Sequence, residues 1–99
     1  MGRISVDKYL VESLLPDLVG HDRQPSAFLV YLHLWCSGRG RRQRQVSASL
    51  QQISSATGLS KSAVQQALRT LKRRRLVSSR QRAATAVPDY VLHMPWIRD

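Results

Sequence analysis

The segment 49–76, SLQQISSATGLSKSAVQQALRTLKRRRL, constrains the fold most, because its spacing predicts two short helices joined by a tight turn. The second helix carries apolar residues at the 3.6-residue period of a face that packs on a core, at Val64, Ala67, Leu68 and Leu71. Its other side is polar or basic and contains no acid: Ser62, Gln65, Gln66, Arg69 and Arg73. This helix is therefore predicted to be held from behind and to face a polyanion.

The charge of the chain is large and unevenly distributed. Its 99 residues include 16 Lys and Arg against 6 Asp and Glu, which gives a formal net charge of +10. Residues 23–88 contain 13 of those bases and no acid. Such a balance favours an anionic partner, either nucleic acid or a phospholipid surface. Solubility alone is the alternative explanation, although surfaces of that kind usually mix both signs of charge.

Length and cysteine content limit the class of protein. A chain of 99 residues is one small domain with a single modest core. Cys36 is the only cysteine, so an intrachain disulfide is excluded and a cytoplasmic location is expected. No apolar run approaches the roughly 18 residues of a membrane span, and the first residues lack the apolar core of a signal peptide. No membrane partner is expected.

Two helices are predicted before residue 49. Residues 5–15 have a wide apolar face and should end before Pro16, since a proline disfavours helical geometry in the residue before it. That face is either the seam of a homodimer, over residues 6–15, or a surface that folds back on its own domain. Residues 26–36 are apolar almost all round, which predicts a buried helix stopped by Ser37 and Gly38. We divide the chain into an N-terminal helix and connector, 1–22, and a main domain, 23–99.

The segment 49–76 also carries its own capping signals. Ser49 and Gln52 form a capping box, Gly58 reverses the chain, and Ser60 caps the second helix. The first helix is predicted to bury Leu50, Ile53 and Ala56. Beyond it, 76–81 and 89–94 are predicted as the strands of a hairpin, and Trp96 and Ile97 are expected to pack on the core or on a partner chain.

These residues resemble the winged helix-turn-helix DNA-binding superfamily. The resemblance covers residues 25–94 and is carried by Ile53, Ser54, Gly58, Leu59, Ser60, Val64, Leu68 and Leu71. The chain is similar to MarR-like and GntR-like regulators, and to helix-turn-helix domains of phage and plasmid replication proteins. The implied fold is mainly α with a small β-hairpin wing: a three-helix core plus an N-terminal helix. Ser54 departs from the more usual alanine, and the alanine-rich wing tip weakens the expectation of a wing contact with DNA.

The resemblance implies that the second helix, 61–74, enters the major groove of double-stranded DNA. The residues expected to read bases are Ser62, Gln65, Gln66 and Arg69. Those expected on the DNA backbone are Lys61, Lys72, Arg73, Arg74, Arg41, Arg42, Arg44, Arg80 and Arg82. An ordinary solvated helix face and a solvated basic loop are the alternative explanations of the glutamines and of the 39–44 arginines.

The leading function is therefore a sequence-specific DNA-binding regulator of transcription. Alternatives are a replication or maintenance factor of a plasmid or phage, an RNA-binding or ribonucleoprotein module, and a module that binds an acidic protein. RNA binding by stacking is less favoured because no solvent-facing aromatic residue accompanies the arginines.

Catalysis has little support in the sequence. The acids are few and lie near the ends of the chain, and neither an enzyme, a cofactor nor a small-molecule effector is expected. His33 and Cys36 have the spacing of a two-ligand metal clip on one helix. The simpler interpretation is a core or interface histidine beside a small buried thiol.

Overall fold

A computed structural model of the chain describes residues 2–97, with the side chain of Arg41 left out. An N-terminal helical segment contains two π-helical stretches, Leu10–Leu14 and Asp17–His21. It is followed by α1 (Pro25–Gly38), a 3-10 turn (Gly40–Arg42), β1 (Gln45–Ser47), α2 (Leu50–Thr57), α3 (Lys61–Arg73), β2 (Val77–Arg80) and β3 (Asp89–Leu92). The antiparallel sheet has the order β1-β3-β2, and the β2–β3 hairpin is the wing. The predicted class, mainly α with a small β wing, is confirmed.

The core is built around α1, whose Tyr31, Leu34 and Trp35 are almost completely buried. The predicted apolar side of α3 packs into the same core, where Val64, Ala67 and Leu71 are each 0% exposed. Burial of each large apolar side chain stabilises the fold by about 1.5–3 kcal/mol. Because this face is fixed inward, the polar side of α3 is held outward.

The junction of α2 and α3 follows the predicted capping pattern. The Ser49 hydroxyl accepts from the Gln52 amide while the Gln52 side chain accepts from the Ser49 amide. The Ser60 hydroxyl accepts from the Ala63 amide at the start of α3. Gly58 has φ of 80°, a left-handed conformation that is costly for residues with a Cβ. The two helices are therefore joined by locally encoded contacts.

The inner side of α2 differs in one position from the prediction. Ile53 is fully buried and Leu50 is partly buried, but Ala56 is exposed. Ser54 takes up the inward position instead, and its hydroxyl donates to the Leu59 carbonyl at 2.6 Å. The serine that departs from the family pattern thus ties α2 to the turn.

The prediction that Pro16 ends the first helix is wrong. The helical segment continues to His21, and Pro16 itself is helical with φ of −64° and ψ of −30°. A proline inside an α-helix clashes with the carbonyl four residues earlier. Here wider π-type turns flank it, since the Leu15 amide bonds to the Leu10 carbonyl and the Asp22 amide to the Asp17 carbonyl.

The N-terminal helical segment folds back on its own domain. Leu10, Leu14 and Leu18 are buried and join the core formed by α1, α2 and α3. The C-terminus packs beside it, as predicted for Trp96 and Ile97. The Trp96 ring stacks on Tyr9 with centroids 4.6 Å apart, and its indole N–H donates to Asp7 at 3.0 Å. Residues near the two ends of the described range, 7–9 and 96, therefore meet on one side of the domain.

Three arginines adopt the left-handed conformation just after helical segments. Among the described residues other than glycine, positive φ occurs at Arg23 (53°), Arg39 (70°) and Arg75 (57°). The sequence predicted that Gly38 would make the turn after α1. Gly38 is instead the last helical residue, and Arg39 takes the left-handed position. The predicted loop after it contains the 3-10 turn Gly40–Arg42.

Candidate nucleic-acid interface

A groove of about 570 Å³ lies between the outer side of α3, the start of α2 and the wing. One wall consists of residues spaced along α3, namely Lys61, Gln65, Arg69 and Lys72. The other wall is formed by Ser79 and Gln81 of the wing. Among the described residues that line the groove there is no Asp or Glu. The groove is thus free of acids and carries three cations along one helix, and its lining also includes the apolar residues Leu50, Leu68 and Pro88.

The start of α2 opens into the groove through Ser49, Leu50 and Gln51. The first amides of a helix lack partners within the helix, and the helix dipole places positive partial charge there. This end suits a phosphate oxygen. No binding role was predicted for these residues from the sequence, although the Ser49–Gln52 capping box did predict that a helix begins here.

Tyr90 contributes to the groove from β3. Its side chain is 4% exposed, and burial raises the pKa of the Tyr90 hydroxyl above its usual value. A tyrosine hydroxyl is protonated at neutral pH, so this one is able to donate a hydrogen bond. Its partner across the hairpin, Ser79, also lines the groove. The alternation of side chains in the strands places both on the inner side of the wing.

The four residues expected to read bases are all exposed on α3 and fall into two strips. Gln65 and Arg69 line the groove. Ser62 and Gln66 lie outside its lining, on the neighbouring strip that also carries the exposed Arg73. The sequence had grouped these residues on one side of the helix, and the wing divides that side in two.

Arg74 departs from its expected role. Its guanidinium donates to both carboxylate oxygens of Asp22, at 2.9 and 3.1 Å, and also to the carboxylate of Asp17. The side chain is only 31% exposed. We therefore remove Arg74 from the set of backbone contacts. The basic run after α3 concealed a residue whose charge is neutralised within the protein.

The loop arginines do not lie beside the groove. In the sheet, Ser47 pairs with Asp89 at the wing end, whereas Gln45 pairs with Val91 at the other end. Arg42 and Arg44 precede Gln45, so they lie at the end of β1 that is farther from the wing tip. Arg42 lines a separate cavity, and Arg44 is half-buried. The side chain of Arg41 is outside the described part of the structure.

Arg80 and Arg82 are exposed, but they lie at the tip end of the wing, because Arg80 ends β2 and Arg82 belongs to the loop that follows it. Arg80 pairs across the strands with Asp89, whose carboxylate also accepts from the Ser47 hydroxyl. At the wing tip, the Gln81 amide donates to the carbonyls of Ala84 and Ala86. The tip is therefore closed by its own hydrogen bonds, and the two described cations of the wing, Arg80 and Arg82, lie on either side of Gln81 at this end.

The pair His33 and Cys36 does not match the buried-thiol interpretation. Cys36 is exposed, and His33 is part-buried with Nε2 3.5 Å from the Ser37 hydroxyl. Burial lowers the pKa of His33. Neither belongs to a group of three metal-ligand residues within residues 2–97, where the group that does occur is Asp17, His21 and Asp22. Both carboxylates of that group already accept hydrogen bonds from the Arg74 guanidinium.

Comparison with known proteins supports the winged helix-turn-helix assignment. Residues 40–81 match the family model of the IclR helix-turn-helix domain. This stretch is less than half of the chain and runs from the 3-10 turn through β2. The match supports a DNA-binding function of the transcription-regulator type and points to a protein that binds rather than catalyses. It does not confirm the MarR-like or GntR-like naming.

No curated protein and no solved structure matches the chain. Within residues 2–97, no helix is long and apolar enough to cross a membrane.

Proposed function

We propose that this protein is a sequence-specific regulator of transcription that acts in the cytoplasm and places α3 in the major groove of DNA. The observation that carries the proposal is the acid-free groove along α3, lined by Lys61, Gln65, Arg69 and Lys72 within the described residues. The major groove is about 12 Å wide and admits an α-helix of about 10–12 Å diameter. The buried face of α3 keeps these side chains directed outward.

The base-reading set of the proposal is Ser62, Gln65, Gln66 and Arg69. A glutamine can bind adenine through two hydrogen bonds and an arginine can bind guanine in the same way, each contributing about 1–3 kcal/mol of discrimination. Because Gln65 and Arg69 lie on the groove side and Ser62 and Gln66 on the adjacent strip, the two pairs are assigned to neighbouring base pairs.

The phosphate contacts of the proposal come from both sides of α3. Lys61, Lys72 and Arg73 are exposed along the helix, and Arg80 and Arg82 are exposed at the tip end of the wing. At the start of α2 the Ser49 and Gln52 amides are bonded within the capping box, so a further phosphate contact there is assigned to the Leu50 and Gln51 amides. Such contacts set the position of the protein on the duplex, and they carry no sequence information.

The proposal is tested by fluorescence anisotropy of labelled duplexes, selected and random, at several salt concentrations. Five cation–phosphate contacts predict that log K falls against log salt with a slope of about −4.5. Absence of duplex binding at low salt would contradict the proposal. Tighter binding of RNA than of the selected duplex would support the alternative function, in which this surface binds RNA.

We also propose a homodimer formed through the outer side of residues 6–15. Leu10 and Leu14 are buried within the domain, but Val6, Tyr9 and Val11 remain 37%, 41% and 58% exposed. A two-fold dimer would match a DNA site with two half-sites about one helical turn apart. Light scattering should give twice the chain mass, and Val11→Lys should give the single mass. A single mass at every concentration would refute the dimer and leave the DNA-binding proposal standing.

A further inference from the structure

A second basic cavity, of about 810 Å³, lies at the far end of α1. It is enclosed by the first residues of the chain, the last turn of α1 and the 3-10 turn. Its lining includes Arg3, Asp7, Trp35, Cys36, Arg39 and Arg42. It shares no lining residue with the groove along α3. Contacts between DNA and the residues along α3 therefore do not account for this cavity.

The charge inside the cavity is positive. Three arginines, Arg3, Arg39 and Arg42, line it, and the one acidic residue among its described lining residues is Asp7. That carboxylate accepts a hydrogen bond from the Trp96 indole at 3.0 Å, which engages part of its charge. The C-terminal end of α1 adds negative partial charge of about half a unit. Three arginines outweigh these contributions, so an anion is attracted.

The walls of the cavity are held by specific contacts around Trp35. Its indole N–H donates to the Ser5 carbonyl at 2.8 Å, which fixes the first residues against α1. Gly40 lies so close to the indole that an added Cβ would be 2.6 Å from Nε1. Arg39 and Arg42 flank this contact in sequence, so their backbones are fixed on either side of the buried ring.

The backbone of Arg39 is an outlier that helps define the cavity. Its φ of 70° lies in the left-handed region, where a residue with a Cβ costs about 1–2 kcal/mol relative to its normal conformation. Asparagine and glycine meet this need at lower cost. An arginine there directs a long cation to the end of α1, where it lines the cavity. Outliers of this kind often accompany binding sites.

We propose that this cavity binds a small anion that carries two or more phosphate groups, of the size of a nucleotide. Guanidinium groups bind phosphate through paired N–H donors, and three arginines line this cavity. The volume lies within the range of about 300–1,000 Å³ that is usual for small-molecule sites. The site is separate from the proposed DNA surface, so each proposal stands or falls without the other.

The test uses the full chain and inorganic pyrophosphate as the probe. Cys36 is the only cysteine, is exposed, and lines the cavity, so its reaction with N-ethylmaleimide reports on this site alone. Saturating pyrophosphate should slow the alkylation. Calorimetric titration should give saturable binding with the same midpoint. Arg39→Gln and Arg42→Gln should each weaken binding about tenfold, the usual effect of losing one hydrogen bond to a charged group.

The matched control is Arg23→Gln. Arg23 has the same residue type and the same left-handed backbone as Arg39 and is absent from the cavity lining. It should leave both readouts unchanged, and Arg42→Gln covers the case in which Arg39→Gln unfolds. Equal weakening in the variants and the control, or the absence of saturable binding, would overturn the proposal. Protection of Cys36 by duplex DNA but not by pyrophosphate would also overturn it, and would assign the cavity to nucleic acid.

Discussion

Nη1 of the Arg74 guanidinium donates to both oxygens of the Asp22 carboxylate, at 2.9 and 3.1 Å, and the two residues are 52 positions apart in the chain. Arg74 directly follows α3, and Asp22 closes the N-terminal helical segment. Asp17 joins the same guanidinium. The pair therefore ties the end of the proposed recognition helix to a segment that lies outside the helix-turn-helix.

Asp22→Asn should lower the free energy of unfolding by about 1 kcal/mol, because a paired and 11% exposed carboxylate is lost. Urea denaturation followed by circular dichroism measures the change. Glu12→Gln is the control, since the Lys8–Glu12 pair is largely exposed and should contribute little. Equal effects of the two substitutions would show that the pair does not hold α3.

Arg73 and Arg74 are neighbours, but only the substitution of Arg73 is expected to change the salt dependence of DNA binding. Arg73→Gln should reduce the salt slope of log K by about 1, as expected when one phosphate contact is lost. Arg74→Gln should leave the slope unchanged, because its charge is already neutralised by Asp22 and Asp17. Anisotropy titrations across a salt series measure both slopes. Equal reductions would mean that Arg74 leaves its acidic partners when DNA binds.

Arg69→Ala should weaken binding to the preferred duplex by about 1–3 kcal/mol and weaken binding to random duplexes less. Arg69→Lys is the informative companion, since it keeps the charge and loses the paired donors that recognise guanine. If Arg69 reads a base, the Arg69→Lys variant should show less preference for the selected duplex over random duplexes than the unmodified protein. Full recovery by Lys would make Arg69 a phosphate contact. Competition between selected and random duplexes supplies the measurement.

Gly58 and Gly40 have similar backbones in different surroundings. Their φ values are 80° and 63°, but a Cβ on Gly58 would meet nothing within 4 Å, whereas one on Gly40 would collide with Trp35. Gly58→Ala should therefore cost about 1 kcal/mol of stability from backbone conformation alone. Gly40→Ala should cost about 1–3 kcal/mol more through overpacking. Thermal melts compare the two, and equal losses would contradict the close packing on Trp35.

Tyr31 makes stability depend on alkaline pH. Burial raises the pKa of Tyr31, the nearby Asp7 raises it further, and Arg44 opposes them. Because the folded pKa exceeds the unfolded value of about 10, the contribution is fully present below pH about 10 and is lost at higher pH. Tyr31→Phe should lessen this alkaline loss, and at neutral pH it should cost about 1 kcal/mol for the bond to the His93 carbonyl. Urea midpoints measured from pH 7 upward test both effects.

Features encoded by neighbouring residues were predictable from the sequence. The Ser49 capping box, the turn at Gly58 and the buried face of α3 depend on spacings of three or four residues, and the structure contains all of them. The groove along α3 was predictable only on its helix side. Its second wall depends on where the wing folds, and the sequence does not specify that position.

The errors arose where distant contacts determine the outcome. Pro16 remains helical because the surrounding turns widen while Leu14 and Leu18 pack on the core. Arg74 looked like one more cation in a basic run until the fold brought Asp22 to it. The loop arginines could not be placed without the register of β1 against β3.

Each of the arginines at 23, 39 and 75 combines a left-handed backbone that changes the direction of the chain with a side chain that contributes positive charge. Glycine would fit these backbones better, so selection for heat resistance should replace them readily. Each such replacement would also lower the net charge of +10 by one. Variants evolved for stability at these sites should therefore be drawn less strongly to polyanions, and a screen that rewards both properties should retain arginine.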